Sequence, residues 1–141
     1  MFWDASALSA TLFDDPRSAE MVEAFDGDTL PVIWWATPVE CRSAIVRAVR
    51  EKRTSREGAN EAIERLREAR SQVREVAPIE SVRARAIRLL GVHRLRAADA
   101  LQLGAALDWS EEQPANELFV CLDRRLREAA RREGFTLLPT D

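Results

Sequence analysis

The chain has 141 residues, 46% of them hydrophobic and 32% charged, which predicts one soluble globular domain over residues 1–141. No apolar run approaches the ~18 residues that span a membrane, and no basic region precedes the apolar N-terminal residues, so we expect neither a membrane segment nor a secretory signal. The net charge of −3 gives no indication of nucleic-acid binding, although arginine, which suits local phosphate sites, supplies every basic side chain except Lys52 and the single histidine.

The first 35 residues predict two short strands with helices between them. Met1 to Trp3 is a very short apolar stretch, followed by a helical run from Ser6 to Phe13. Asp15-Pro16 is typical of an N-cap with proline at the first helical position, which opens a helix that Gly27 ends. Leu30 to Trp35 is a candidate for a buried strand.

Residues 38–109 predict a run of helices without a convincing strand. The predicted helices begin at Thr37-Pro38, Ser55, Pro78 and about Ala97. The helix from Ser55 is long, charged and extends to Arg74, whereas Gly91 closes the helix from Pro78. We therefore expect this stretch to form a helical layer beside a small sheet.

The C-terminal residues return to an alternation of strand and helix. Leu118 to Leu122 is the clearest strand, Arg124 to Glu133 is a helix ended by Gly134, and Thr136 to Leu138 is a final short strand. Strands separated by helices imply a parallel sheet with helices on both faces. The sequence therefore predicts a three-layer α/β/α fold.

Four acidic residues, Asp4, Glu40, Asp99 and Asp123, stand beside predicted strand ends or helix starts. Asp4 and Asp123 directly follow strands, and Glu40 lies in the first turn of the helix after the second strand. Since ligands bind open parallel sheets beyond the carboxyl ends of the strands, we expect these three acids at that edge. No strand directly precedes Asp99. Its apolar neighbours predict burial, which is costly for a lone carboxylate unless it is paired or binds a metal.

Each of these acids also has a purely structural interpretation. Asp4 and Asp123 are favourable N-caps, Glu40 completes a Thr37-x-x-Glu capping box, and Asp99 suits the positive end of a helix dipole. Acids gathered at one edge would repel one another, however, and a divalent cation relieves that repulsion. Clustering would therefore favour binding of Mg²⁺ or Mn²⁺.

Around these acids the sequence resembles the PIN-domain nucleases, and especially the VapC-type toxins of bacterial toxin–antitoxin pairs. The matching segments are FWDASAL (residues 2–8), TPVECRSAIVRAV (37–49), LRAADALQLGAAL (95–107) and FVCLDRRLREAARREGF (119–135). The resemblance covers the whole chain and implies a PIN-like fold and metal-dependent endoribonuclease activity. Gln102 departs from the pattern, because many relatives have histidine there. Since it is not one of the four acids, we expect activity to survive.

The resemblance also implies a role for each site residue. Asp4, Asp99 and Asp123 would be ligands of Mg²⁺ or Mn²⁺, and Glu40 would contact the metal through water or orient the attacking water. The hydroxyl of Ser6 would support a ligand or a metal-bound water. RNA is the implied substrate, and a cognate antitoxin is the implied partner.

Several arginines and tryptophans are candidates for RNA contacts. Arginines that flank the third and fourth acids would hold phosphates, with a solvated or acid-paired role as the alternative: Arg94, Arg96, Arg124 and Arg125. Four tryptophans could stack on unpaired bases, although we expect Trp3 and Trp34 to lie in the core. The others are Trp35 and Trp109.

Apolar stripes on the helices between Thr37 and Arg74 exceed what a small sheet can cover, which predicts a homodimer that also binds an antitoxin segment.

Two other functions stay open from the sequence. One is an acid-cluster phosphatase or phosphoacceptor domain, although Ser6 stands where a phosphatase would have its second aspartate and Lys52 is poorly placed for a receiver domain. The other is a catalytically silent PIN-like binding module, against which the retention of all four acids argues.

His93 is predicted to be a surface or loop residue rather than part of a nucleophilic set. Cys41 and Cys121 fit no zinc spacing and predict two buried thiols in a reducing cytoplasm.

Overall fold

A parallel sheet forms the centre of the computed structural model, which describes residues 1–15 and 18–140. Over those residues the sheet has five strands: β1 (Phe2–Trp3), β2 (Val32–Trp34), β3 (Arg74–Val76), β4 (Leu118–Val120) and β5 (Thr136–Leu138). Their spatial order is β3-β2-β1-β4-β5, and all neighbouring pairs are parallel. The chain builds outward from β1 in one direction and then in the other, so a topological switch point lies between β1 and β4.

Helices cover both faces of this sheet. They are α1 (Ala5–Ala10), α2 (Ala19–Asp26), α3 (Thr37–Arg50), α4 (Arg56–Arg70), α5 (Glu80–Val92), α6 (Ala97–Trp109) and α7 (Arg124–Glu133). Successive strand residues point to opposite faces, so Phe2 packs in the core beneath α5, α6 and α7, whereas Trp3 packs in the core beneath α1 to α4. The predicted three-layer α/β/α fold is confirmed. No helix of the described residues is both long enough and apolar enough to cross a membrane.

The helical middle of the chain contains a strand, contrary to the prediction. β3 pairs with β2 in the register Val32↔Arg74 and Trp34↔Val76, at the edge of the sheet. Only Val76 of its three residues is buried, and the segment Arg-Glu-Val has too little apolar pattern to mark it as a strand. Because β3 starts at Arg74, the helix predicted to reach that residue ends at Arg70 instead.

Several predicted helix boundaries can be compared with the structure. Ser55 caps α4 as predicted, since its hydroxyl accepts a hydrogen bond from the Gly58 N–H at 3.0 Å. Gly91 was predicted to close α5 but lies inside it, and the helix continues to Val92. Gly134 ends α7 with a φ of 106°, a conformation that glycine adopts without strain.

The predicted cap at Asp15-Pro16 falls partly outside the described residues. Within them, α2 begins at Ala19 after Ser18, and it ends at Gly27 as predicted.

Candidate active site

Asp4 lies at the topological switch point, directly after β1. Only 4% of this residue is exposed. As the N-cap of α1, its Oδ1 accepts hydrogen bonds from the Ser6 hydroxyl at 2.6 Å and the Ala7 N–H at 3.2 Å, and its Oδ2 accepts from the Ser6 N–H at 3.2 Å. Burial raises the pKa of Asp4 above its usual range, although these hydrogen bonds oppose the rise. No basic side chain among the described residues pairs with it. A buried carboxylate without a cation beside it is costly in free energy.

Ser6 connects the ends of the two central strands. Its hydroxyl donates to Asp4 and accepts from the N–H groups of Leu122 and Asp123 at 2.8 and 3.2 Å. The loop after β4 is thereby held against the loop after β1, and this brings Asp123 into the neighbourhood of Asp4.

Glu40 lies half-buried in the first turn of α3 and is held from α6. Its Oε1 accepts a hydrogen bond from Gln102 Nε2 at 2.8 Å. The predicted capping box is absent, because Ala36 is the N-cap and the Thr37 hydroxyl bonds with Gln102 instead. Burial raises the pKa of Glu40 to about 7, a rise that Gln102 opposes and that the negative charges of Asp4 and Asp99 increase.

Asp99 lies in the first turn of α6 and is only half-buried, contrary to the expectation that it would be mostly buried. The reason is that Ala97 and Ala98 are exposed, and full burial of the helix starts with Ala100. One carboxylate oxygen, Oδ2, accepts from the backbone N–H of Arg96 at 3.3 Å. Asp99 is near enough to Glu40 for its charge to raise the pKa of Glu40, so Asp4, Glu40 and Asp99 share one electrostatic environment.

Asp123 caps α7 and is half-buried. Its Oδ1 accepts from the backbone N–H groups of Arg125 and Leu126, both at 2.9 Å. Ser6 connects Asp123 to Asp4, because its hydroxyl accepts from the Asp123 N–H and donates to the Asp4 carboxylate.

Three of the four acids keep a carboxylate oxygen available. Within residues 1–15 and 18–140, no hydrogen bond reaches Glu40 Oε2, Asp99 Oδ1 or Asp123 Oδ2. Both oxygens of Asp4 accept hydrogen bonds. For Asp123, a role as N-cap and a role as metal ligand are therefore compatible. Hard carboxylate oxygens fit Mg²⁺ or Mn²⁺ in their chemistry. However, no three acidic, histidine or cysteine side chains in this part of the chain converge closely enough to hold an ion. Joint ligation would need the free oxygens to move toward a common point.

The site also contains three residues whose place in it the sequence did not predict: Thr37, Gln102 and Cys121. Cys121 Sγ lies 3.8 Å from the Ser6 hydroxyl oxygen, and burial raises the pKa of this thiol above its ordinary value. The prediction of two buried thiols is confirmed, since Cys41 is also free and buried, and burial raises its pKa to about 12. The sequence did contain one indication that Gln102 lies in the site. It stands three residues after Asp99, and this spacing places both side chains on one face of a helix.

The predicted RNA contacts differ in accessibility. All four candidate arginines are exposed, and none of their side chains forms an ion pair with another described residue: Arg94, Arg96, Arg124 and Arg125. Trp3 and Trp34 lie in the core as expected, and Trp109 is half-buried against Phe2. Trp35, which directly follows β2, is 53% exposed.

His93 follows α5 in a loop, as predicted, but its side chain is not at the surface. It is 5% exposed, and Nε2 lies 2.7 Å from Glu133 Oε1. Glu133 also accepts from Arg88 at 2.7 Å, and the two partners lower its pKa against the effect of burial. This cluster joins the ends of α5 and α7.

The raised pKa values of two acids predict how the stability of the metal-free protein depends on pH. A folded state that raises the pKa of Glu40 from 4.5 to about 7 binds its proton more tightly than the unfolded state does, and Asp4 acts in the same direction. In EDTA, the contribution of Glu40 to stability should therefore fall as pH rises from about 4.5 to about 7 and stay constant above that range. Melting temperatures of wild type and Glu40→Gln should converge at low pH and diverge as pH rises, with the variant more stable. A difference independent of pH would contradict this.

Comparison with known families identifies the chain over most of its length. The family model described as PIN domain matches residues 1–132. No curated protein matches the chain. The predicted PIN-domain resemblance is confirmed, whereas the VapC-type subgroup stays a prediction.

Proposed function

The chain belongs to the PIN domain family, and from this premise we propose that it is a metal-dependent endoribonuclease, the toxin of a VapC-type toxin–antitoxin pair. The observation that carries the nuclease proposal is the buried carboxylate of Asp4 at the switch point. It is joined by the charges of Glu40 and Asp99 and has no basic partner among the described residues. A bound cation would stabilise such a group of carboxylates, because it would offset their burial and their mutual repulsion.

In this proposal the acids have separate tasks. Asp4, Asp99 and Asp123 would hold Mg²⁺ or Mn²⁺, and Ser6 fixes the first and last of them relative to each other. When bound, the ion would lower the pKa of a coordinated water and neutralise charge that develops on the phosphate. Glu40 Oε2 accepts no hydrogen bond from a described residue, so this oxygen can orient the attacking water and accept its proton.

RNA binding is proposed to use the exposed basic and aromatic groups around this edge of the sheet. The register Trp3↔Ile33 places Asp4 level with Trp34 on the neighbouring strand, so Trp35 lies one residue beyond the level of the acid. An exposed indole at this position can stack on an unpaired base. The exposed guanidinium groups of four arginines can hold phosphates: Arg94, Arg96, Arg124 and Arg125.

Nuclease activity should depend on a divalent ion. Purified protein is expected to cleave RNA with Mg²⁺ or Mn²⁺ and to stop when EDTA is added, because without the cation nothing lowers the pKa of the attacking water or neutralises the charge that develops on the phosphate. The measurement is a gel-based cleavage assay on single-stranded and structured RNA. Cleavage undiminished by EDTA would contradict the metal role, and absence of cleavage under all these conditions would favour the silent binding module.

The acid-cluster phosphatase receives less support from the site. Such an enzyme would have its second aspartate at position 6, where the Ser6 hydroxyl instead holds Asp4 and the loop after β4. For a phosphoacceptor domain, Lys52 lies beyond the C-terminal end of α3, whereas Glu40 lies at its start.

The antitoxin proposal is supported by a groove between α3 and α4. This groove, of about 1080 Å³, is lined by apolar side chains, five arginines and one acid, Glu51; its larger apolar and basic residues are Val39, Val46, Ile63, Leu66, Arg42, Arg47, Arg50, Arg67 and Arg70. Val39 is 66% exposed and neighbours Glu40 in the sequence. The groove suits an amphipathic segment with acidic flanks, which could also extend an arginine or lysine towards the acids.

Partner binding should be visible in solution. We expect light scattering to give a homodimer for the chain alone and a larger complex when the protein encoded next to it is added. Val46→Asp should weaken that complex, because it places a negative charge among the apolar side chains of the groove. Glu61→Lys on α4, outside the groove lining, is a suitable control. A monomer at micromolar concentration both alone and with its neighbour would count against these partners.

A further inference from the structure

The buried amide of Gln102 joins α6 to the carboxylate of Glu40. Gln102 is 1% exposed, and its Nε2 donates to Glu40 Oε1 at 2.8 Å and to Thr37 Oγ1 at 3.0 Å. The Thr37 hydroxyl lies 3.3 Å from Gln102 Oε1, to which it donates. The nitrogen and the oxygen of the amide are therefore both bonded inside the protein.

An ionised Glu40 selects one orientation of the amide. A flipped Gln102 would turn its oxygen towards Glu40 Oε1, so that two acceptors would face each other in the protein interior. Thr37 is fully buried, and within the described residues its side chain bonds only with Gln102. Thr37 therefore holds the amide, and the amide holds the carboxylate.

Helical spacing places the network directly beside the proposed reaction site. Thr37 and Glu40 are three residues apart on α3, and Asp99 and Gln102 are three residues apart on α6, so each pair shares one helix face. The hydrogen bonds from Gln102 on α6 to Thr37 and Glu40 on α3 fix where the Glu40 carboxylate lies relative to Asp99.

We propose that Gln102 is a positioning residue for the nuclease reaction: by holding Glu40 through Oε1 it fixes the carboxylate and keeps Oε2 available to the attacking water or to a metal ion, should one bind beside Asp4 and Asp99. This inference rests on the proposed function. Partners that orient the groups around a metal site are worth about 10- to 100-fold in activity or metal affinity. A histidine at this position would also supply an N–H donor.

The first test compares Gln102→Leu, which removes the donor, with Gln102→His, which replaces it. We expect Gln102→Leu to lower kcat by about 10- to 100-fold and to weaken Mn²⁺ binding in calorimetry, with KM for RNA little changed. We expect Gln102→His to recover most of both losses. Equal activity and equal Mn²⁺ affinity in Gln102→Leu and wild type would overturn the inference while leaving the proposed function in place. A wild-type protein without cleavage activity would instead overturn the proposed function.

A double-variant cycle tests whether Gln102 acts through Glu40. If it does, adding Gln102→Leu to a Glu40→Gln protein should cause little further loss of activity or Mn²⁺ affinity. Independent, additive losses would overturn the inference, because they would mean that Gln102 acts by another route.

Thr37 provides a second pair of variants if Gln102→Leu does not fold. Thr37→Val removes the hydroxyl that holds the amide, and Thr37→Ser keeps it. We expect cleavage and Mn²⁺ binding to fall in the valine variant and to stay near wild type in the serine variant. Equal values for the two variants would overturn the inference.

Discussion

Asp4→Asn is expected to abolish RNA cleavage while leaving the protein folded. Asparagine keeps the size of the side chain and one acceptor oxygen, so it can still accept from the Ser6 hydroxyl and the Ala7 N–H and loses only the 3.2 Å bond from the Ser6 N–H. Asparagine and aspartate are about equally good N-caps. If Asp4 only caps α1, the substitution should therefore change little.

The proposed role at the metal site predicts a different outcome. Loss of an outer partner of a metal site costs about 10- to 100-fold, and loss of a direct anionic ligand should cost more. The metal-free variant should be at least as stable as wild type at neutral pH, because burial of the Asp4 charge, which raises its pKa, is then relieved. Cleavage assays and thermal melting with and without Mg²⁺ measure both quantities.

Asp28→Asn is the matched control for Asp4→Asn. Asp28 is also an aspartate with a buried side chain, but it precedes β2 and accepts from the N-terminal ammonium at 3.0 Å and from Trp3 Nε1 at 2.9 Å. Neutralising it should cost stability and keep activity, the reverse of Asp4→Asn. If the Asp4→Asn protein cleaves RNA as fast as wild type, Asp4 serves only as the N-cap of α1 and has no role in catalysis.

The fold was predictable from the sequence where a segment carries its own pattern. β4 and β5 have apolar residues bounded by turn residues, and α6 and α7 have clear starts and ends, so these elements were predicted. β3 was missed because only one of its residues is buried and because its strand conformation depends on pairing with β2. Such pairing is a tertiary contact that local sequence does not contain.

The candidate site was predictable in its location and not in its internal contacts. Adjacency to strand ends correctly placed Asp4 and Asp123 at one edge of the sheet. The sequence predicted that Asp99 would be mostly buried, but Asp99 is half-buried and Asp4 is the buried acid. The exposure of a helix start depends on what packs over it, which the local sequence does not contain. Gln102 bonds with Glu40 across 62 positions of the chain, a distance at which spacing rules give no information.

Asp99→Asn is expected to abolish cleavage without destabilising the metal-free protein. Asp99 accepts one long hydrogen bond, 3.3 Å from the Arg96 N–H, which an asparagine oxygen can also accept. Its negative charge raises the pKa of Glu40. Removing that charge relieves repulsion in the metal-free site and removes a hard anionic ligand from the metal-bound site.

Titration of Glu40 supplies a readout of this prediction that does not depend on activity. In Asp99→Asn the pKa of Glu40 should fall below the value of about 7 that the wild-type surroundings produce, because one nearby negative charge is gone. Carboxyl NMR chemical shifts followed over pH, with EDTA present, measure this directly. An unchanged titration would mean that Asp99 and Glu40 are not coupled.

A structural role for Asp99 predicts the reverse pattern in stability and activity. If its charge only favours the start of α6, neutralising it should cost about 0.3–1 kcal/mol of stability and leave cleavage largely intact. Asp108→Asn on the same helix is the matched control, because Asp108 accepts from Ser81 Oγ at 2.7 Å and Arg85 Nη1 at 2.8 Å and lies at the other end of α6. That variant should lose stability and keep activity. An Asp99→Asn protein that behaves like Asp108→Asn, destabilised but active, would remove Asp99 from the proposed ligands. A stable, inactive protein whose melting no longer responds to Mg²⁺ would place Asp99 among them.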